Sequence, residues 1–113
     1  MDDEALKRQF SRVPLSHTVR YRAEDTHKFA SGDMSNLSLG GMFVQTSQPL
    51  AAGTEVYLQF LAESGEIVAE GHARVAHIGD GGMGLEFTSI DEKFIAYAQL
   101  VVSEGLIQQR LRT

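Results

Sequence analysis

Residues 54–87 read "TEVYLQFLAESGEIVAEGHARVAHIGDGGMGLEF". Val56, Leu58 and Phe60 recur at every second position, the spacing that puts side chains on one face of an extended strand. "ESG" (63–65) turns the chain, and "EIVAEGHARVAHI" (66–78) reads as a long strand. "GDGGMG" (79–84) turns it again, and "MGLEF" (83–87) gathers Met83, Leu85 and Phe87 on one face. Strand, turn, strand, turn and strand in direct succession predict an antiparallel meander.

The same period extends upstream. "LSHTVRY" (15–21) places Leu15, His17, Val19 and Tyr21 together. "KFASGDMSNLSLGG" (28–41) reads as a weaker strand interrupted by Gly32. "MFVQT" (42–46) follows the glycine pair directly, as after a tight reversal, and "QPLAAG" (48–53) is a turn-rich connection. Six short strands with turn signals between them predict a small antiparallel barrel or sandwich.

Beyond residue 88 the period changes. Ser89 and Glu92 form an S-x-x-E capping box with Asp91 in the first turn, and Ile90, Phe94, Ala98 and Val101 recur at helical spacing. Gly105 weakens or ends that helix, and "LIQQRLRT" (106–113) continues it raggedly. At the other end the chain is polar up to Arg12, with Glu4 and Arg8 as a helical i,i+4 pair, until Pro14 forces Val13 into an extended conformation. The expected architecture is mostly β. A flexible N-terminal segment (1–13) precedes a six-stranded antiparallel β-barrel (14–88), and a C-terminal α-helix follows (89–113).

A chain of 113 residues with 42% hydrophobic content suits a single core. No apolar run approaches the ~18 residues of a membrane span, so no membrane insertion is expected. "MDDEALKRQF" lacks the apolar stretch of a secretory signal. Cysteine is absent, which excludes disulfides and thiolate metal sites and makes a cytoplasmic location the expectation. The net charge of −5 argues against a nucleic-acid polymer as partner. Yet Lys7, Arg8, Arg12, Arg20 and Arg22 fall in the acid-free window 7–22, half of the chain's ten basic residues. A local positive patch on an acidic body favours a small anion.

Catalytic and metal chemistry find little support. His17, His27, His72 and His77 lack metal-ligand spacing; on a regular strand 72 and 77 face opposite sides. No nucleophile elbow frames the serines. Residues 79–84 match G-x-G-x-x-G, but a dinucleotide loop must open a helix, and here "LEFT" (85–88) reads as a strand. The expectation is a hairpin turn, no enzyme, no metal and no cofactor.

The remaining candidates are Arg8, Arg12, Asn36, Ser38 and Gly41. "RQFSR" (8–12) is R-x-x-x-R, and 24 residues beyond Arg12 begins "NLSLGG" (36–41), an N-x-S-x-x-G. In this order and near this separation the two motifs resemble the PilZ domain family. "GMGLEFTSID" (82–91) before a helix resembles that family's last strand. The resemblance spans about Lys7 to Leu106. It implies a six-stranded barrel that binds the bacterial second messenger cyclic di-GMP and signals to a partner protein in motility or exopolysaccharide regulation. The alternative is a PilZ-type adaptor that engages proteins without the nucleotide. Carried over by position, Arg8 and Arg12 match the first motif, and Asn36, Ser38 and Gly41 the second. Lys7 and Gly40 stand beside them as further candidates. Lys7 occupies the position that bears on whether one ligand or a stacked pair is bound, and both remain open.

The chemistry fits that ligand. The arginine fork pairs bidentately with guanine O6 and N7 or with phosphate, and stacks on ring faces. In an extended chain Asn36 and Ser38 share one face while Leu37 points to the core. Asn36 can accept from a guanine N–H, Ser38 can donate or accept, and Gly41 lets the backbone turn or lie close to the ligand. Arg20 and Arg22, on the strand face opposite Val19 and Tyr21, are expected to lie away from this site.

Overall fold

The computed structural model describes residues 15–38, 40–90 and 92–103. The leader 1–13 with Lys7, Arg8 and Arg12, and the tail beyond 103 with Gly105, lie outside the described residues. The strands are β1 (Leu15–Ala23), β2 (Ala30–Ser35), β3 (Gly41–Gln45), β4 (Glu55–Ala62), β5 (Ile67–Gly79) and β6 (Gly82–Ser89); a helix, α1 (Glu92–Ser103), follows. All pairings are antiparallel, and the sheet closes into a barrel in the order β1-β2-β3-β6-β5-β4. Closure leaves no sheet edge to be protected.

The period-two residues line the interior. Val56, Leu58 and Phe60 are fully buried, as are Val19, Tyr21 and Met83. Each such side chain contributes about 1.5–3 kcal/mol by leaving water. Helix α1 lays its apolar face on the same core. The Phe94 ring lies 4.9 Å from the rings of Phe60 and Phe87, and Tyr97 lies 5.1 Å from Phe60. The Tyr97 hydroxyl donates to the Ser16 carbonyl at 3.2 Å, which ties the helix to the start of β1. Burial pushes the Tyr97 phenol well above its ordinary pKa of 10.0.

The glycine-rich stretch 79–84 is the β5–β6 hairpin. Gly79 pairs with Gly82 across the two-residue turn Asp80-Gly81, whose φ angles of 55° and 83° are those of a type I′ turn.

Four local expectations are corrected. His17 is exposed, although Val19 and Tyr21 are buried. The β1–β4 register shifts between Leu15 and Val19, where Ser16 Oγ accepts from the Thr18 N–H and donates to the Leu61 carbonyl. Gly32 does not interrupt β2. A Cβ there would stand 2.5 Å from the Gln45 carbonyl oxygen, so the glycine lets β2 close on β3. Ser89 is the last residue of β6, and α1 begins only at Glu92, later than an N-cap at Ser89 requires; Asp91 lies outside the described residues. His72 and His77 do not face opposite sides of the sheet. A register shift between Val75 and His77 leaves Ala76 and His77 both exposed, which returns His77 to the outer surface with His72.

Candidate functional site

The second motif forms the β2–β3 turn. β2 ends at Ser35, and Asn36 takes φ 51°, a left-handed conformation that asparagine tolerates better than most residues. Asn36 therefore breaks the extended alternation expected from the sequence; Leu37 forms a β-bridge, and the chain reverses between Ser38 and Gly41. The Ser38 N–H donates to the Gly41 carbonyl at 2.9 Å, and Ser38 Oγ donates to the same oxygen at 3.3 Å. Oγ also accepts the Gly40 N–H at 3.2 Å. The Phe87 N–H donates to the Gly40 carbonyl at 2.9 Å, fastening the turn to β6. Leu37, 1% exposed, anchors the turn in the core.

The expected polarity survives the changed backbone. Asn36, Ser38 and Gly41 line one groove of about 500 Å³, while Leu37 points away from it into the core. That volume lies within the ~300–1,000 Å³ of small-molecule sites. The Ser38 hydroxyl already donates once and accepts once, so a lone pair remains for a ligand donor. Ser38 is thus an acceptor toward a ligand. Gly41 has a structural reason of its own: a Cβ there would stand 2.1 Å from the Leu85 carbonyl oxygen. The residue lets β3 approach β6, whatever lies above it.

Across β3, β6 and β5 the groove also takes in Phe43, Gln45, His77 and Asp80, none of which the motifs pointed to. Phe43 and Gln45 follow from strand alternation, because Met42 and Val44, which alternate with them, are buried. His77 reaches the groove through the β5 bulge, which no period reveals. Among the described residues lining the groove there is no lysine or arginine.

Arg20 and Arg22 lie elsewhere, as the alternation of β1 predicts. Arg20 sits 4.2 Å over the Phe29 ring, and Arg22 sits 4.8 Å over Tyr57. Arg22 Nη1 also donates to the carbonyls of Ala23, Glu24 and Thr26. This cation–π cluster occupies the outer face of β1 and β4, across the barrel from the β3–β6–β5 groove. Of the basic window 7–22, the described arginines Arg20 and Arg22 therefore lie away from the groove. Among the described residues no cluster of three or more His, Asp or Glu is arranged to hold a metal ion, and no helix is long and apolar enough to cross a membrane.

The register sets the start of β1 beside the end of β2. Thr18 of β1 pairs with Asp33 of β2, so β1 begins at the barrel end where β2 leaves for the Asn36–Gly41 turn. Arg12 and Arg8 precede Leu15 by three and seven residues. At ~3.3 Å per extended residue these separations span roughly 10 and 23 Å.

A closed six-stranded barrel with a groove at its β2–β3 turn is the architecture that gathers Asn36 and Ser38. The sequence profile of the PilZ domain family matches residues 6–101, a span that includes both motifs. The chain belongs to the PilZ domain family, whose members are generally cyclic di-GMP-binding modules. Among solved structures it is similar to the PilZ domain of CeSA from a cellulose-synthesizing bacterium. The two are 27% identical, with a TM-score of 0.54, over 83% of this chain and 95% of that one. No curated protein matches.

Proposed function

We propose that this chain is a cyclic di-GMP receptor that passes the signal to a partner protein. The observation that carries the reading is the convergence of Asn36 and Ser38 on one groove beside the end where β1 begins. Asn36 and Ser38 offer acceptors to guanine N–H groups. The ligand's two phosphate charges need cations, and the described lining has none. Arg8 and Arg12, within chain reach, supply them. Ordering the leader over the groove remodels the surface that the partner reads, at a free-energy cost that subtracts from the visible affinity. Regulation of exopolysaccharide synthesis or motility is the setting we propose, in keeping with the similarity to a PilZ domain from a cellulose-synthesizing bacterium.

Titration calorimetry with cyclic di-GMP tests this directly. Saturable binding to the wild-type chain is expected. Arg12→Ala is expected to cost about 1–3 kcal/mol, the range for a lost bidentate guanine contact. Arg22→Ala is expected to leave the dissociation constant unchanged. No heat at tens of micromolar protein would leave a ligand-independent adaptor as the better reading, and a larger loss in Arg22→Ala would place the site on the wrong face.

A further inference from the structure

One row of the outer surface crosses the groove: Phe43 on β3, Gly84 on β6 and His77 on β5, paired in register. Gly84 is buried because the imidazole lies over it. A Cβ on Gly84 would stand 2.1, 2.6 and 2.8 Å from Cε1, Nδ1 and Nε2 of His77. Three ring atoms so near one point mean that the ring presents its face, not its edge, to the glycine. The opposite face of the exposed ring is turned away from the sheet, along the groove wall. Phe43 flanks it, with ring centroids 6.3 Å apart and planes 31° from parallel.

Two independent devices produce this placement. The bulge between Val75 and His77 brings the ring to the outer surface, where regular alternation would have turned it inward; bulges beside sites re-aim side chains in this way. The missing Cβ at Gly84 gives the ring its seat. An aromatic covering a glycine is also a packing device within a sheet, and that role alone requires nothing of the ring's outer face. Here that face lines the same groove as Asn36 and Ser38. Those residues offer hydrogen-bond acceptors to the edge of a base, and a base held by its edge still has two π-faces to cover.

We propose that His77, seated on Gly84 and flanked by Phe43, is a stacking platform for one purine of the bound cyclic dinucleotide. The inference rests on the receptor reading above and adds a residue outside both motifs to the site. Edge contacts from Asn36 and Ser38 select the base, and the His77 face adds affinity that any purine would share.

The test is titration calorimetry with cyclic di-GMP on the full chain and its variants, with proton NMR of the bound guanine H8. His77→Ala is expected to weaken binding about tenfold or more, from the usual loss of a base–aromatic stack. His77→Phe is expected to stay within about threefold of wild type, whereas His77→Leu, of similar bulk but without a π-face, is expected to lose as much as the alanine. Gly84→Ala unseats the ring and is expected to weaken binding in the wild-type background but not further in His77→Ala. The guanine H8 resonance is expected upfield in wild type and His77→Phe, and not in His77→Leu. A thermal melt of each variant identifies any that fails to fold, and the phenylalanine–leucine comparison then carries the test. Equal affinity and equal H8 shifts in wild type and His77→Leu would overturn the platform while leaving the receptor intact. Absence of binding by wild type would overturn the receptor reading and the platform with it.

Discussion

At the scale of single residues, Asn36 has a backbone duty beside the binding role proposed for it, and the two separate by substitution. Its φ of 51° is free to glycine, tolerated by asparagine and aspartate, and costly to a β-branched side chain. Asn36→Gly is expected to hold or raise the melting temperature while weakening cyclic di-GMP binding. Asn36→Val is expected to lower stability by about 1–2 kcal/mol in urea unfolding. Asn36→Asp keeps the backbone and converts a neutral hydrogen bond to guanine into a charge-assisted one, roughly twice as strong; calorimetry is expected to show tighter binding. Gly41 behaves differently. Since a Cβ would meet the Leu85 carbonyl oxygen at 2.1 Å, Gly41→Ala is expected to lose about 1–3 kcal/mol of stability, as overpacking does. Binding lost in that variant reports the fold before it reports the ligand. The polarity of 36–38, two polar residues toward the groove and Leu37 toward the core, was legible in the sequence. The reason for Gly41 was not, because it is a distance between β3 and β6 that no local pattern encodes.

At the scale of elements, the β2–β3 turn is hung from the core by one side chain. Leu37→Ala is expected to cost about 2–5 kcal/mol in denaturant unfolding and to weaken cyclic di-GMP binding, because Asn36 and Ser38 are placed by that anchor. The strands were legible where one face lies in the barrel and one in water, as along 55–58 of β4 and 70–75 of β5, because period two is written there. The hairpin turn within 79–84 was legible from its glycines and its place between strands; its type and its two central residues came from the structure. What escaped were the irregularities in β1 and β5. One shifted residue reverses every parity beyond it, and nothing in the composition around His17 or His77 marks the shift. The helix start shows the same limit: Ser89 and Glu92 have capping-box spacing, but pairing of Ser89 with His72 keeps β6 extended to that point.

At the scale of the molecule, helix α1 and the barrel share one core, and the helix is tied back to the first strand through Tyr97. Burial raises the Tyr97 pKa above its ordinary 10.0, so the unfolded chain releases that proton at lower pH than the folded one. Stability from this group is complete below pH 10 and declines as pH rises above it. Urea unfolding is expected to show a steeper alkaline loss in wild type than in Tyr97→Phe, which itself is expected to cost about 0.5–1.5 kcal/mol at neutral pH through the lost hydrogen bond to Ser16. The distribution of charge also belongs to this scale. The sequence shows five basic residues in one window, but the barrel places Arg20 and Arg22 over Phe29 and Tyr57 on the β1–β4 face, away from the groove. Among the described residues, no lysine or arginine lines the groove to meet a dianion there.

The account's central claim is that the groove at the β2–β3 turn and the arginine-bearing leader close on one cyclic di-GMP site. A pair of amide NMR spectra, recorded with and without cyclic di-GMP, tests it most directly. The expected result is coincident shifts, with one dissociation constant, for residues 7–14, for 36–41 and for Phe43 and His77. Shifts confined to Arg20, Arg22 and Tyr57, or none at saturating ligand, would contradict it.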